Sequence, residues 1–388
     1  MDQIKIAIVG WGSVSALGAE KKDIWTTYLT PQHCFSRKEF PMGNEWVAVL
    51  DKKSAQLVAK VAEESSKYRQ LDPTAWYAMA ASRIAVEQAG WQNDDTIGIN
   101  LGSSRGATEA FEKYHTQFID SGEQNTDTLS SPTTTLGNIA SWVGVDLGSH
   151  GPQISHSITC STALHAVLNA VAWLKSGLSD KFLAGGSEAP LTPFTLAQMK
   201  ALKVYANTDT DFPCQSMNLL KTRNSMILGE GAAVFALQRE AENALAFITG
   251  IGYGTEIIKH GASISENATC QQQAIRMAIK GHDPESIDAI VLHSPGTVKG
   301  DESEIKAIEA VFGNYKPLLT SNKWKIGHTF GASGSLSMEM AILMLQHNQF
   351  IQPPYLLQQE IKKPLKKILV NAVGFGGNAV SILIERGK

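Results

Sequence analysis

The 388-residue chain carries one order of elements twice, and that repetition limits the folds open to it more than any other feature. "IAIVGWGS" (6–13) and "FITGIGYG" (247–254) are each a short apolar strand running into a glycine-rich turn. "WYAMAASRIAVEQAGWQNDDTIGINLGSS" (76–104) reads as helix, glycine stop, acidic turn and strand, and "QQQAIRMAIKGHDPESIDAIVLHSPGT" (271–297) repeats that plan. "SHSITCSTALHAVLNAVAWLKSG" (155–177) is a turn feeding an apolar helix, and "IGHTFGASGSLSMEMAILMLQHNQ" (326–349) is another. "LGEGAAVFALQRE" (228–240) and "VGFGGNAVSILIER" (373–386) each close with a glycine cluster and an apolar strand. Short strands alternating with longer helical patterns define an α/β fold. The expectation is a duplicated α/β unit with its seam near residue 243: an N-terminal half, 1–242, and a C-terminal half, 243–388.

Duplication has a chemical consequence. Reactive groups in open α/β sheets collect outside the carboxyl ends of strands. The turn into the first buried helix carries Cys160, its counterpart carries His328, and the strand end before that carries His293. Pseudo-symmetric packing would bring the three to one pocket between the halves. The helix after Cys160 is apolar on nearly every face, which places it inside the protein. A thiol at such a helix start feels the positive end of the macrodipole, which favours thiolate; the bland alternative is a core thiol against small neighbours. His293 alternatively caps a strand end, and Asp301 alternatively caps the helix that follows. Lys323 and His328 lie five residues apart in a glycine-rich stretch, and "GFGG" (374–377) offers backbone N–H donors near a ligand. His156 and His165 flank Cys160 and read as structural.

Composition removes other functions. With 43% hydrophobic and 18% charged residues and a net charge of −3, the chain has ample core and no global basic field. Nucleic acid and anionic membranes are therefore not expected partners. The opening apolar run is too short for a signal peptide, and no window approaches the roughly 18 apolar residues of a membrane span, so the expected location is cytoplasmic. Cys34, Cys160, Cys214 and Cys270 form no C-x-x-C pair, which argues against a zinc knuckle or a disulfide scaffold. Glycines 10, 12 and 18 miss the dinucleotide-binding spacing, and no acidic residue ends a second strand about 20 residues on.

Taken together the segments resemble the thiolase superfamily, and within it the elongating β-ketoacyl-acyl-carrier-protein synthases. "IAIVGWGSVSALG" resembles that family's "VVVTGxGxVSxLG", and "ITCSTALHAV…LKSGLSDKFLAGGSEA" its "TACATGxHAI…IxxGxxDxxLAGGxEA". "HSPGTVKGDESE" stands for "HGTGTxxGDxxE", "SNKWKIGHTFGASG" for "SxKxxxGHxxGAAG", and "NAVGFGGNA" for "NSFGFGGTN". The resemblance implies a thiolase-like α-β-α-β-α layering with a buried nucleophile helix. It implies that Cys160 holds the growing acyl chain and that the backbone N–H groups of Cys160 and Phe375 form an oxyanion hole. His293 and His328 would bind a malonyl thioester and promote loss of CO₂, Lys323 with Glu304 would position and tune His328, and Thr297 and Asp301 would support the site. No metal or redox cofactor is implied, because the substrates ride on the phosphopantetheine of an acyl carrier protein. A dimer is implied, either a homodimer or a pair with a related ketosynthase-like subunit.

The sequence departs from the family in places. Pro295 replaces a threonine expected to contact the pantetheine arm, only Arg223 survives of a "PFDxxRxGF" stretch, and Arg105 stands where relatives keep an apolar residue limiting the acyl pocket. These changes favour specialised polyketides or polyenes at least as much as ordinary fatty acids. They also leave open a non-condensing, chain-length-factor-like partner subunit and an acyl transferase that does not decarboxylate. The cluster Lys52, Lys53, Lys60, Lys67 and Arg69 is a candidate patch for an acidic carrier protein, or simply a solvated face.

Overall fold

The computed structural model describes residues 4–92, 96–136, 138–257, 265–361 and 363–387; the expected acidic turn at 93–95 lies outside them. The strands in chain order are β1 (Ile6–Ser15), β2 (Ser36–Phe40), β3 (Gly43–Ala48), β4 (Ile97–Gly102), β5 (Gln153–Ile154), β6 (Lys181–Glu188) and β7 (Leu228–Gly229). They continue with β8 (Gly231–Gln238), β9 (Ala246–Thr255), β10 (Ala289–Val291), β11 (Leu318–Thr320), β12 (Lys367–Gly374) and β13 (Asn378–Arg386). Ten hydrogen-bond into one sheet in the order β11-β10-β12-β13-β9-β1-β8-β6-β4-β5, and β2, β3 and β7 form a small second sheet.

The large sheet is symmetric about the antiparallel pairing of β1 with β9, where Ile6 faces Ile248. Outward on one side, β1–β8 and β8–β6 are antiparallel while β6–β4 and β4–β5 are parallel. Outward on the other, β9–β13 and β13–β12 are antiparallel while β12–β10 and β10–β11 are parallel. The repeated segments thus hold matching positions.

Five layers follow from what each helix buries. The helices Thr162–Ser176 and Ser333–His347 share the largest apolar cluster with inward residues of β1, β6, β8, β9, β12 and β13. They are the central layer, and Gly334 allows their close approach: a Cβ there would lie 2.6 Å from Leu164 Cγ. Each fully buried Leu, Ile or Val contributes about 1.5–3 kcal/mol, so this layer anchors the fold. Pro73–Ala89 packs on the outer face of the first half, and Thr269–Ala278 and Val298–Phe312 on that of the second.

The G-x-G turns at the start of each half have a packing role. A Cβ on Gly10 or Gly12 would strike the carbonyls of Ala85 and Ala81, and one on Gly250 or Gly252 those of Ala278 and Ala274. These glycines let β1 and β9 lie against their outer helices, which accounts for the motif without a nucleotide. Among the described residues no helix is long and apolar enough to cross a membrane.

Candidate active site

Cys160 precedes Ser161, the N-cap residue of the buried helix Thr162–Ser176, and is itself 5% exposed. Thr159 before it has φ +48°, a conformation that β-branched residues rarely adopt. Thr162 fastens the turn: its Oγ1 accepts from Ile158 N at 2.9 Å and donates to Thr159 O at 2.6 Å. Ser294, beside His293, has φ +27°, and Phe330, two residues past His328, has φ +40°. Strain of this kind costs of order 1–3 kcal/mol per residue and survives only where the surroundings fix it. Its clustering around these three residues marks a site.

The two histidines arrive from the second half. His293 follows β10, and its N–H donates to Glu304 Oε1 at 3.0 Å while Ser294 N donates to Oε2 at 2.8 Å. His328 N–H donates to Ile227 O at 2.6 Å, and its Nδ1 lies 2.8 Å from Ser333 Oγ at the start of the second central helix. The rings meet edge to face, with centroids 5.1 Å apart. The Cys160 sulfur and a nitrogen of each ring all fall within 4.8 Å of one another. The structure therefore brings the three residues into one buried group.

Electrostatics set their resting states. Burial, reinforced by His328 and Lys323, holds His293 well below the usual histidine range, and burial with Lys323 lowers His328 to about 3. Both imidazoles are therefore neutral at pH 7, each with one N–H to give and one lone pair. Burial, with Glu188 adding to it, pushes the Cys160 thiol up to about 12, against the opposing pull of Lys323 and the Cys160 N–H. The sequence favoured a thiolate from the helix start; desolvation outweighs that, and the resting group is a thiol. The proton must leave as the sulfur attacks. A thiol and two imidazoles at this spacing also match metal-ligand types.

Lys323 is 1% exposed and donates to Asn322 Oδ1 at 2.9 Å and Ser337 Oγ at 3.3 Å. Burial lowers it to about 8, with Glu304 acting in the other direction. At pH 7 it remains a cation, adding to the burial that keeps the imidazoles neutral.

These contacts bear on Glu304 and Asp301. Glu304 hydrogen-bonds the backbone at His293, and Asn371 Nδ2 at 3.3 Å, but not His328; the ring of His328 is held by Ser333. Asp301 is not the helix cap. Thr297 is, accepting from Gly300 N at 3.2 Å, while buried Asp301 accepts from Gly296 N, Met217 N and Lys221 Nζ at 2.7–3.0 Å. A carboxylate with three donors inside the protein ties loops together rather than ending a helix. His156 bonds Thr162 O and Asn100, and His165 bonds Ser161 O, in keeping with structural roles.

Cys160 opens onto a cavity of about 350 Å³ lined by Thr159, Met199, Phe330, Phe375 and the Ser104–Arg105 turn. Phe375 lies in the turn after β12, where its carbonyl accepts from Thr159 Oγ1 at 3.3 Å. Gly374 makes this approach possible, since a Cβ there would collide with Thr159 Oγ1. Gly374→Ala is expected to cost about 1–3 kcal/mol of stability by overpacking and to slow acylation of Cys160, read by thermal unfolding and by intact mass.

Sequence reasoning missed Glu188, Ser333 and Lys221. Fully buried Glu188 at the end of β6 accepts from Ser103 Oγ, Ser104 N, Arg105 N and Gly331 N at 2.7–3.0 Å, joining loops of both halves beside Cys160. A carboxylate ending an apolar strand was the available signal; nothing in the sequence pointed to Ser333 or Lys221.

The neutral imidazoles carry a prediction. From pH 8 down to pH 5 the C2–H resonances of His293 and His328 are expected to stay fixed, because their lowered values keep both unprotonated. In Lys323→Met, removal of the cation should let His328 titrate at higher pH than in the parent. NMR titration checks both.

Comparison with known proteins adds an independent line. The family description "Beta-ketoacyl synthase, N-terminal domain" matches residues 3–243, and "Beta-ketoacyl synthase, C-terminal domain" matches 245–356. The 3-oxoacyl-[acyl-carrier-protein] synthase 2 of Rhizobium meliloti is 28% identical, with 98% of this chain and 99% of that protein covered. The ishigamide ketosynthase/chain length factor superposes with a TM-score of 0.86 at 19% identity, covering 99% of each chain. A type II polyketide synthase structure holding an acyl-carrier protein and its ketosynthase gives 0.84 at 18%, covering 99% of this chain and 100% of that one.

Proposed function

We propose, for a chain that belongs to the β-ketoacyl synthase family, an assignment of each step of a decarboxylative condensation to named groups. The chain is a condensing enzyme built on Cys160, His293 and His328, and the observation that carries this is their meeting within 4.8 Å as one buried group. In the first step Cys160 Sγ attacks an acyl thioester. The carbon–sulfur bond to the carrier breaks, and the proton from Cys160 leaves with the carrier thiol. A malonyl thioester then binds with its carbonyl against the imidazole N–H groups. Ser333 Oγ–H donating to His328 Nδ1 would leave Nε2 as the protonated, donating nitrogen.

Loss of CO₂ leaves an enolate, and two neutral N–H donors in a dry site stabilise its oxygen. The enolate carbon attacks the acyl carbonyl on Cys160, the backbone N–H groups of Cys160 and Phe375 hold the oxyanion, and collapse expels the Cys160 thiolate, which takes up one proton from solvent to restore the resting thiol. Lys323 is a positioning residue that helps burial keep His328 and His293 unprotonated, and Glu304 one that fixes the backbone at His293. Asp301 and Thr297 hold the loop after His293. We read the chain as two halves, 1–242 and 243–388, with nucleophile and imidazoles supplied from opposite sides.

The partner that fits is an acyl carrier protein, delivering both substrates on phosphopantetheine; no further cofactor enters the reaction. The carrier in the polyketide synthase neighbour supports this. Of the candidate basic patch, Lys53 is tied to Asp23 at 2.6 Å and Glu20 at 3.4 Å, so Lys52, Lys60, Lys67 and Arg69 are what remain for an acidic partner. A second chain, either identical or a related ketosynthase-like subunit, completes the assembly, and the ketosynthase/chain-length-factor neighbour supports the latter form.

The test supplies acyl and malonyl carriers separately and together. CO₂ release and a carbon–carbon-bonded product only with both is the expected result. Acyl exchange without CO₂ would point to simple acyl transfer. Activity that needs a second ketosynthase and survives loss of Cys160 would make this chain its non-condensing partner.

A further inference from the structure

Among the described residues, Arg105 is the one charged side chain lining the cavity onto which Cys160 opens. Its guanidinium lies 5.7 Å from the Phe330 ring centroid, and Nη2 donates to Gln198 Oε1. Its Nε–H is buried and has no hydrogen-bond partner among the described residues. Among the described residues no carboxylate forms an ion pair with it.

Neither nearby acid pairs with it. Glu188 spends its oxygens on Ser103, three backbone N–H groups and the junction between halves, and burial pushes it up to about 7. Glu112 influences Arg105 from beyond ion-pair distance; its Oε2 accepts from Phe194 N at 3.5 Å and its buried Oε1 has no hydrogen-bond partner among the described residues, yet it does not reach the guanidinium. A half-buried guanidinium with an idle donor is costly beside a hydrocarbon chain and favourable beside an anion. Phe330 and Gln198 hold it in place, so little ordering is needed when a ligand arrives.

We propose that Arg105 forms a carboxylate-binding subsite in the acyl pocket and selects primers whose acyl chain ends in a carboxylate. The inference rests on Cys160 being the residue that carries the acyl group. The primer carboxylate would accept from Nε–H and a neighbouring guanidinium N–H, the paired geometry that suits arginine better than lysine.

Length-matched pantetheine thioesters test it: adipoyl against hexanoyl and glutaryl against pentanoyl, with the Cys160 adduct followed by intact mass. The protein should load the carboxylate-bearing member of each pair at least about tenfold faster. Arg105→Leu should remove or invert that preference while still loading hexanoyl, and Arg105→Lys should retain part of it. If Arg105→Leu does not fold, Arg105→Gln, of closer size and polarity, takes its place. Equal or reversed loading by the parent protein, or an unchanged ratio in the variants, overturns the subsite. Hexanoyl loading reports on the acyl-carrying reading alone: absence of every adduct, or adducts mapping away from Cys160, overturns that reading and the subsite with it.

Discussion

Cys160→Ala is expected to abolish the covalent acyl adduct and to lower condensation on the order of 10⁴-fold or more, the scale for deleting a nucleophile. The fold should survive, because the change removes one sulfur from a small apolar neighbourhood and costs about 1 kcal/mol. The informative part is what remains. His293 and His328 are fastened by Glu304 and Ser333, not by Cys160, so the decarboxylating pair should stay in place. Malonyl carrier alone should still release CO₂ from the alanine variant, measured with carboxyl-labelled substrate. Loss of both half-reactions in a folded variant would mean that the sulfur also organises the imidazoles.

His328→Ala should give the complementary result. Acylation of Cys160 needs the thiol and its oxyanion donors, so the adduct should still form, more slowly if the imidazole helps to remove the thiol proton. CO₂ release should fall about 10²–10³-fold, the scale for one donor to a developing oxyanion. Separating the two half-reactions matters more than either loss, since a merely structural histidine would lower both together. Ser333→Ala, which frees the ring of His328 without removing it, should reduce CO₂ release less and leave acylation intact. A quench assay that weighs the adduct and counts CO₂ in one reaction checks all three variants.

Much of this architecture was legible before any coordinates. The repeated blocks settled into matching strand positions because each carries its own period, glycine stop and apolar run, and these are local properties. The G-x-G turns show the limit of local reading: their spacing argued against a dinucleotide fingerprint, but that Gly10 and Gly12 make room for Ala85 and Ala81 depends on a helix more than sixty residues away. Asp301 shows another. An acid at a helix start reads as a cap, and only packing reveals that Lys221, eighty residues earlier in the chain, is its partner at 2.7 Å.

The sequence by itself determined the α/β duplication, the position of Cys160 before a buried helix, and the candidacy of His293 and His328, because residue type and periodicity are written along the chain. Tertiary structure alone decided that Cys160 rests as a thiol, that both imidazoles are neutral, that Ser333 and Glu304 divide the work of holding them, and that Arg105 faces the pocket without an ion pair among the described residues. Those properties follow from desolvation and from partners distant in sequence, and neither exists until the chain has folded.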